Sequence, residues 1–340
     1  MPASRSFVFY FILLVISIIA ALANIFFGSA AISFPEIFDV LLGRSTDPAH
    51  EIIIWKSRVP TALIAWIAGA ALSVSGLLMQ TLFKNPVAGP YILGISSGAG
   101  LGVAILLLSG SLIGSTFLLS DTAILISAAA GSSVVFLMIL AISIRISDMT
   151  ILLVVGLMIA GTIGAVISIL QSVGSKEGLQ MFVFWSFGSF RNVSLDKVQL
   201  LVPFLLLGFL LAVGQIKSLN SLLLGDLSAK NLGVDIKRSK VIIIVSTCLL
   251  AGGVTAFCGP IAFIGLAVPH LARMAFNTAD HKILIPSSIL IGATVACLCS
   301  ILSSAPWANW TLPLNAVTSL MGAPFVIWIL FRMKKIRVYG

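Results

Sequence analysis

The sequence predicts an all-helical protein that crosses a membrane several times. Hydrophobic residues make up 59% of the 340 residues and charged residues only 9%, which leaves too little polar surface for a water-soluble domain. Stretches without Lys, Arg, Asp or Glu recur, notably 59–83, 241–272 and 283–331, and each is long enough for one or two membrane helices. A β-barrel would instead alternate apolar and polar residues in short strands, which these solid apolar blocks do not.

Gly, Pro and charged residues divide the chain, a single predicted domain of residues 1–340, into ten predicted spans. The first is 7–27, where a secretory signal is the alternative because Arg5 precedes the apolar stretch. We favour a retained helix, since the stretch has the length of a full span. The other nine spans are predicted at 61–82, 92–109, 122–144, 150–170, 198–215, 240–257, 262–275, 283–304 and 314–331.

The distribution of charge favours an even number of crossings, because cytoplasmic loops of membrane proteins collect Lys and Arg. With the N-terminus in the cytoplasm, ten crossings place fourteen of the 20 basic residues inside and most acidic residues outside. Without the short crossing at 262–275, Arg273, Lys282 and the basic tail 332–337 would move outside. We therefore predict that both chain ends lie in the cytoplasm.

Two stretches of opposite predicted direction carry Gly and Pro directly before a short apolar helix. They read "FKNPVAGPYILGISSGAG" at 83–100 and "GPIAFIGLAVPHLAR" at 259–273. Interrupted helices of opposite direction are typical of transporters built from inverted repeats, so we predict that helices 2 to 5 repeat as helices 7 to 10. Pro269, His270 and Arg273 are expected to end the second helix at the cytoplasmic face, in a structural role.

Small residues recur at four-residue spacing in the third and fifth predicted helices. Such stripes let helix backbones approach closely in a membrane. Tight packing is one interpretation, and a face that lines a pathway for a large solute is the other. The stripes are Gly94, Gly98 and Gly102, and Gly156, Ala160, Gly164 and Ser168.

Several functions find no support in the residues present. The predicted spans carry essentially no ionisable group at mid-membrane depth, which disfavours ion-coupled transport by the chain alone. No phosphate-binding G-x-x-x-x-G-K-[ST] motif occurs, so ATP and Mg²⁺ would have to be held by a partner subunit. The histidines lie in different loops and the four cysteines lie inside apolar blocks, so we expect no bound metal or cofactor and interpret the cysteines as small packing residues.

Residues 217–240, "KSLNSLLLGDLSAKNLGVDIKRSK", form a predicted cytoplasmic docking segment for an energy-supplying subunit. Leucines could make apolar contacts, glycines could end short turns, and lysines rim the stretch. A solvated loop on the lipid headgroups is the alternative. The leucines are Leu222, Leu223, Leu227 and Leu232, and the glycines are Gly225 and Gly233.

Several ordered motifs give the chain a resemblance to a known family. They are "RVPTALIAWIAGAALSVSGLLMQTLFKNPVAGPYILGISSGA" (58–99), "FWSFGSF" (184–190), "LGDLSAKNLGV" (224–234), "GPIAFIGLAVPHLAR" (259–273), "DHKILIP" (280–286) and "LPLNAVTSLMGAPFVIWIL" (312–330). With these motifs the sequence resembles, over nearly its whole length, the permease subunits of type II ATP-binding-cassette importers of the FecCD type. That family takes up ferric siderophores, haem and cobalamin.

The resemblance implies a set of partners and sites. It implies ten helices per subunit, a second permease subunit that we expect to be identical, two cytoplasmic ATPases that hold ATP and Mg²⁺, and a periplasmic or lipid-anchored binding protein. It also implies three groups of site residues. ATPase coupling falls on Gly225, Ala229 and Gly233, to which we add Leu223 of the docking segment, the cytoplasmic gate on Asn85, Val87, Met149 and Thr150, and binding-protein docking on Arg58. We expect Lys56 and Arg191 to substitute for docking cations that this sequence lacks.

The sequence departs from the family pattern on the periplasmic side. Thr61 stands where the family often has a second arginine, and 303–310 reads "SSAPWANW" without the family's acidic and basic residues.

As a whole, the resemblance implies a non-enzymatic transmembrane subunit in the bacterial inner membrane that imports a ferric siderophore or haem. Cobalamin import by the same machinery is the alternative, and a carrier or channel working without an ATPase is another.

Overall fold

The computed structural model describes residues 3–44, 47–109, 120–146, 148–305, 307 and 310–338. Within these ranges the chain is helical and contains no strand, which confirms the predicted all-helical class. The helices are α1 (Ala3–Phe26), α2 (Phe34–Leu41), α3 (Pro48–Ile53), α4 (Val59–Leu82), α5 (Ile95–Ser109), α6 (Asp121–Arg145), α7 (Met149–Val173), α8 (Lys176–Ser186), α9 (Leu195–Gly214), α10 (Ile216–Leu223), α11 (Asp226–Asn231), α12 (Ile236–Thr247), α13 (Gly253–Cys258), α14 (Ile264–Phe276), α15 (His281–Ser304) and α16 (Leu314–Val338).

Seven helical stretches of the described chain are long and apolar enough to cross a membrane. They are Val8–Phe26, Pro48–Leu82, Asp121–Arg145, Met149–Val173, Leu195–Gly214, Ile236–Cys258 and His281–Ser304. Three shorter apolar helices, Ile95–Leu108, Ile264–Phe276 and Leu314–Ile329, account for the remaining predicted spans. Each predicted span therefore coincides with a helix, while the count of ten crossings and the inverted repeat stay predictions.

The second long stretch begins well before the predicted residue 61. Asp47 caps α3 by accepting a hydrogen bond from the amide of Ala49, and a π-helical turn at Ile54–Arg58 joins α3 to α4 without a break. A π-helical turn inserts a residue and shifts the side chains that follow it around the helix axis. The side chain of Arg58, at the end of this turn, is buried.

The core is built around α4, which packs against α15, α14 and α1. Glycines make these contacts possible, because a side chain at Gly69 would collide with the carbonyl of Gly292 in α15, and one at Gly76 with the carbonyl of Gly265 in α14. Backbones in direct contact gain dispersion energy that lipid cannot replace. The α4 helix therefore forms the centre of the bundle.

The two small-residue stripes have different surroundings. In α5, Gly98 and Gly102 lie against the backbone of α6 around Gly131, with no room for a side chain. In α7, Gly156 lies against the backbone of Ile92, whereas Gly164 has open space beside it. Tight packing is thus confirmed for α5 and for Gly156 in α7, whereas Ala160 is half-buried and Gly164 and Ser168 are exposed.

Both interrupted starts predicted from the sequence have the same local backbone. Gly94 adopts a left-handed conformation with φ 72° immediately before α5, and Phe263 does so with φ 66° immediately before α14. A left-handed residue lets the chain turn sharply into the helix, at little cost for Gly and at some cost for Phe. The conformation therefore marks a similar turn in each half of the chain.

Contacts between loops define two ends of the bundle. Lys84, after α4, forms an ion pair with Asp226 in α11; we call this the Lys84 end. At the opposite end, Arg58 contacts the end of α1, and Lys197 forms an ion pair with Asp121. Each contact joins loops that the charge analysis places on the same side of the membrane.

The four cysteines are free and buried. Cys248 and Cys258 lie in the stretch α12–α13, and Cys297 and Cys299 lie in α15. They pack within the apolar core, which confirms their interpretation as packing residues. Among the described residues, no three His, Cys, Asp or Glu side chains are grouped in a way that could hold a metal ion.

Candidate functional site

The predicted docking segment 217–240 folds into α10, α11 and the start of α12 at the Lys84 end. Gly225, with φ 97° and ψ 157°, separates α10 from α11, and Gly233, with φ 79°, follows α11. A side chain at either glycine would meet no atom within 4 Å. Backbone conformation, which only glycine adopts easily, therefore requires them, and the predicted turns are confirmed.

The apolar residues of the docking segment divide into an inner and an outer set. Leu222 and Ala229 are buried and pack into the core. Ala229, predicted as a coupling residue, therefore attaches α11 to the bundle, so a partner could not contact its side chain directly. The outer set projects from the surface and comprises Leu223, Leu224, Leu227 and Leu232, of which Leu227 is 82% exposed.

The predicted gate residues Asn85 and Val87 lie in the loop that follows α4. The side-chain Oδ1 of Asn85 accepts a hydrogen bond from the amide of Val87 at 3.0 Å, and the amide of Ala88 donates to the Asn85 carbonyl at 3.1 Å. Lys84 begins the loop in a left-handed conformation, with φ 47°. The asparagine therefore fixes a tight turn.

The other two predicted gate residues, Met149 and Thr150, form the first turn of α7. Asp148 caps this turn, because its Oδ1 accepts from the amides of Thr150 at 2.7 Å and Ile151 at 3.3 Å. These two bonds hold the pKa of the Asp148 carboxyl below its ordinary value. Met149 is half-buried and Thr150 is exposed.

One open cavity of about 580 Å³ brings three groups of predicted residues together at the Lys84 end. Asn85 of the gate, Leu223 of the docking segment, and His270 and Arg273 of α14 all line it. Val87, Met149 and Thr150 are absent from its lining. The cavity therefore lies between the gate loop at Asn85 and the docking segment, and the first turn of α7 does not line it.

Hydrogen bonds tie the docking segment to the ends of α4 and α15. Asn220 in α10 donates from Nδ2 to Oδ1 of Asp280 at 2.6 Å, and its Oδ1 accepts from the amide of His281 at 2.9 Å. The His281 ring lies with Nδ1 2.7 Å from Oδ1 of Asn220 and Nε2 2.8 Å from Oγ1 of Thr81. A continuous polar chain therefore runs from α10 to the last turn of α4.

Asp280 is also the N-cap of α15. Its carboxylate accepts a hydrogen bond from the backbone amide of Lys282 at 2.9 Å. This bond first, and the one from Asn220 next, lower the pKa of Asp280. The same carboxylate thus caps one helix and anchors another.

Arg273 lies in the last turn of α14, which ends at Phe276, one residue beyond the predicted span 262–275. Pro269 lies inside the helix, and Asn277, left-handed with φ 47°, ends it. A structural role is still what the contacts indicate.

Two side chains of α14 form hydrogen bonds with residues at and after the end of α4. The Nε2 atom of His270 lies 2.7 Å from the carbonyl oxygen of Pro86. Arg273 donates to Oε1 of Gln80 at 2.5 Å, and Gln80 in turn donates to the carbonyl of Leu266 at 3.0 Å. Arg273 therefore contacts α4 directly.

At the opposite end, the predicted docking cation Arg58 is only 6% exposed. Its guanidinium donates to the carbonyls of Ile25 at 2.9 Å, Phe26 at 3.0 Å and Ala30 at 2.6 Å. A Cβ at Gly28 would lie 2.9 Å from Arg58 Nε. The observed role of Arg58 is therefore to satisfy the carbonyls that end α1.

The other two predicted docking cations are more accessible. Lys56 is exposed and Arg191 is half-buried, and burial lowers the pKa of Arg191. Arg191 and Arg58 line the same small cavity of about 80 Å³. The stretch 303–310 lies partly outside the described residues, since Pro306, Ala308 and Asn309 are not among them.

The polar ties at the Lys84 end were not predicted from the sequence. Asn220 stands alone among leucines, and Asp226 and His281 read as loop residues. The available signal was their position at helix ends, where capping residues occur. Which partner each would find depends on the three-dimensional packing of distant segments.

Comparison with known proteins places this arrangement among transport permeases. The FecCD transport family matches residues 13–332. The hemin transport system permease protein HmuU of Yersinia pestis is 34% identical over 334 residues, which cover 96% of each chain. The vitamin B12 import system permease protein BtuC of Shigella boydii is 32% identical, over 87% of this chain and 89% of its own.

Two further similarities extend over nearly the whole chain. The uncharacterized ABC transporter permease protein YvrB of Bacillus subtilis is 34% identical, over 97% of this chain and 94% of its own. A solved structure of an inward-facing metal-chelate type ABC transporter superposes with a TM-score of 0.82 at 28% identity, over 95% of this chain and 99% of that one. Fold and sequence therefore agree along the full length.

Proposed function

The chain belongs to the FecCD transport family, and from that premise we propose that it is the transmembrane subunit of an ATP-driven importer of ferric siderophore or haem. It is a multi-pass membrane protein with several apolar helices. In the proposed complex, two copies of the chain enclose a pathway. Two ATPase subunits bind ATP and Mg²⁺ in the cytoplasm, and a binding protein delivers the cargo from the outer side. The permease itself performs no chemistry.

The observation that carries the proposal is the exposed leucine surface of the docking segment. Four leucines project from α10, α11 and the turn after them, between lysines and beside a cavity that also contains the gate residue Asn85. Exposed apolar residues at the rim of a membrane protein, where water surrounds them, fit burial against another protein. This surface would receive the ATPase, and its Leu223 lines the same cavity as Asn85.

The proposed topology has ten crossings, with both termini and the Lys84 end in the cytoplasm. The excess of Lys and Arg in the loops at that end supports this orientation. The three shorter helices would cross while shielded by longer neighbours, since short helices need protein around them in a bilayer. Helices 2 to 5 and 7 to 10 would form the two halves of an inverted repeat.

The proposed mechanism is an equilibrium between an outward-facing and an inward-facing arrangement. ATP binding would draw the two ATPases together, move the docking segments and close the cytoplasmic gate at Asn85, Val87, Met149 and Thr150. Hydrolysis would reverse the change. A ligand shifts such an equilibrium only through its different affinity for the two states, and here the ATPase dimer supplies that difference.

The exposed part of the α7 stripe supports a pathway-lining or dimer role for that helix. A Cβ placed at Gly161 or Gly164 would meet no atom within 4 Å, and Ser168 is exposed. A surface of small residues suits close contact with a large cargo or with the second permease copy. Gly156, in the first half of the helix, packs against the backbone of Ile92 and would hold the helix in place.

Cargo is the finer question. Among the relatives described above, the name of HmuU includes hemin transport and the name of BtuC includes vitamin B12 import. We place ferric siderophore or haem first and cobalamin second. The test is uptake by proteoliposomes that contain the permease, the ATPase and the binding protein, with haem, a ferric siderophore and cobalamin offered separately.

The expected result is ATP-dependent accumulation of one iron-containing cargo. Accumulation of cobalamin alone would replace the cargo assignment and leave the importer intact. Accumulation by the purified permease without ATPase would contradict the importer and favour a carrier or channel working alone.

A further inference from the structure

Lys240 is a buried lysine in α12 whose ammonium group contacts a backbone carbonyl. The residue is 4% exposed, and its Nζ donates to the carbonyl oxygen of Ile146 at 2.5 Å. Among the described residues, no carboxylate forms an ion pair with it. Burying a cation costs free energy that a single carbonyl only partly offsets. The buried ammonium group of Lys240 is therefore expected to lower the stability of the fold.

The contact lies between two regions with proposed roles. Ile146 directly follows α6, and two residues later Asp148 caps the first turn of α7, which carries Met149 and Thr150. On the other side, the neighbouring Ser239 donates from Oγ to Oγ of Ser218 in α10 at 3.1 Å. The Lys240 ammonium therefore joins the docking segment to the connection between α6 and α7.

This tie is separate from the other one. Asn220 and His281 connect the docking segment to the end of α4, whose following loop carries Val87. The Lys240 tie instead reaches the turn that carries Thr150. Each gate loop therefore has its own connection to the docking segment.

We propose that Lys240 is a positioning residue that makes the α7 gate turn follow the docking segment when the ATPase moves it. The proposal rests on the proposed function, because it needs an ATPase that acts on this segment. The competing explanation is local: a cation at the end of α6 stabilises that helix through its unpaired carbonyls and dipole, whatever the nucleotide state.

The experiment compares gate accessibility in the assembled complex of permease and ATPase. Single cysteines are introduced as Thr150→Cys and Val87→Cys, and their labelling by a membrane-impermeant maleimide is measured from the cytoplasmic side with and without ATP. The chain with only its four buried cysteines gives the background. In each case the readout is the ratio of the labelling rates with and without ATP.

Lys240→Met removes the ammonium and keeps an unbranched side chain. We expect the ATP-dependent change at Thr150→Cys to fall by at least about fivefold, the lower range of measured couplings between sites, while the change at Val87→Cys is kept. Lys282→Met, which removes an exposed ammonium outside the docking segment and keeps the backbone amide that donates to Asp280, is the control and should keep both changes. If Lys240→Met does not assemble, Lys240→Gln, with a shorter neutral donor, should show the same selective loss.

The outcomes separate the inference from the function on which it rests. An unchanged response at Thr150→Cys in the Lys240 variant would overturn the positioning role, as would equal loss at both gate positions. Absence of any ATP-dependent change in the chain with native Lys240 would instead contradict the proposed function. A selective loss at Thr150→Cys with an unchanged labelling rate in the absence of ATP is the pattern that a purely local stabilising role does not produce, because loosening of the α7 turn would raise that rate as well.

Discussion

The Nζ atom of Lys84 lies 2.6 Å from Oδ1 of Asp226 and joins the gate loop after α4 to the docking helix α11. Both side chains are about half exposed, at 49% and 54%. Exposed ion pairs of this kind contribute about 0.2–1 kcal/mol to stability and are screened by salt.

We expect Lys84→Ala and Asp226→Ala each to change the thermal unfolding midpoint little. The double variant with exchanged charges, Lys84→Asp with Asp226→Lys, should have the midpoint of the native chain. The measurement is a double-mutant cycle at low and at high salt. A coupling that is large and independent of salt would show that the pair is shielded from water in the working complex.

Asn220 should matter more for stability than its exposed counterpart on α11. Asn220→Ala removes one hydrogen bond from the Asp280 carboxylate and leaves Nδ1 of the buried His281 ring without its partner, and an unsatisfied buried group costs about 1–3 kcal/mol. Asn231→Ala, which removes an exposed amide at the end of α11, is the control. Thermal unfolding in detergent checks the difference, and equal midpoints for the two variants would rule out a structural role for the Asn220 tie.

The contribution of the Asn220–Asp280 hydrogen bond to stability should not change in mild acid. The pKa of Asp280 is lowered from 3.8, so its contribution to stability is complete above that value and is lost as the pH falls through the lower pKa of the folded protein. The difference in unfolding midpoint between Asn220→Ala and the native chain should therefore stay constant from neutral pH down to about pH 5. A difference that shrinks within this range would show that another group controls the tie.

Gly225 should be sensitive to any side chain because of its backbone. Its φ of 97° and ψ of 157° lie in a region that other residues avoid, at a cost of about 1–3 kcal/mol. We expect Gly225→Ala and Gly225→Trp to leave the chain inserted but to lower uptake per ATP hydrolysed, with the larger effect for tryptophan at the docking surface.

Gly214→Ala is the matched control, because that helical glycine also has open space around it and no positive φ. It should preserve the ratio of uptake to hydrolysis. Normal coupling in Gly225→Trp would remove this turn from the ATPase contact.

Arg58 and Lys56 should affect different properties. Arg58→Glu places a carboxylate against the carbonyls that end α1, and losing hydrogen bonds to a charged group costs about 1.5–3 kcal/mol each. We expect a marked fall in the thermal unfolding midpoint for Arg58→Glu and little change for Lys56→Glu, since Lys56 is exposed.

The affinity for the binding protein should be affected more by Lys56→Glu than by Arg58→Glu, when both are measured on folded protein. Lys56→Glu should weaken binding at low salt and have less effect at high salt, as expected for a rim charge. Unchanged affinity at low salt would remove Lys56 from the proposed docking surface and leave Arg191 as its remaining candidate.

The helices could be predicted from the sequence because their signal is local. Uninterrupted apolar residues dictate a membrane helix, and left-handed glycines such as Gly225 and Gly233 mark turns by a rule that needs no tertiary contact. The prediction for Arg58 depended on which way its side chain points, and the π-helical turn before it has no clear sequence signal. Proline usually breaks a helix, yet α14 continues from Pro269 to Phe276 while it packs against α4.

The ties between distant loops could not be predicted for a different reason. Asn220 and Lys240 look like ordinary polar residues in a basic loop, and their partners lie on other helices. Only packing shows that Lys240 is buried while Lys237, one turn earlier, is exposed. Sequence patterns thus predict the element on which a site residue lies better than they predict its contacts.

The central claim is that the exposed leucine surface faces the cytoplasm and receives the ATPase. The most direct measurement is maleimide labelling of Leu227→Cys, at the most exposed of these leucines, in intact cells and in inside-out vesicles. We predict labelling only in inside-out vesicles, and protection when purified ATPase subunits are added. Labelling from the outside of intact cells would contradict the topology, and labelling unaffected by the ATPase would contradict the docking surface.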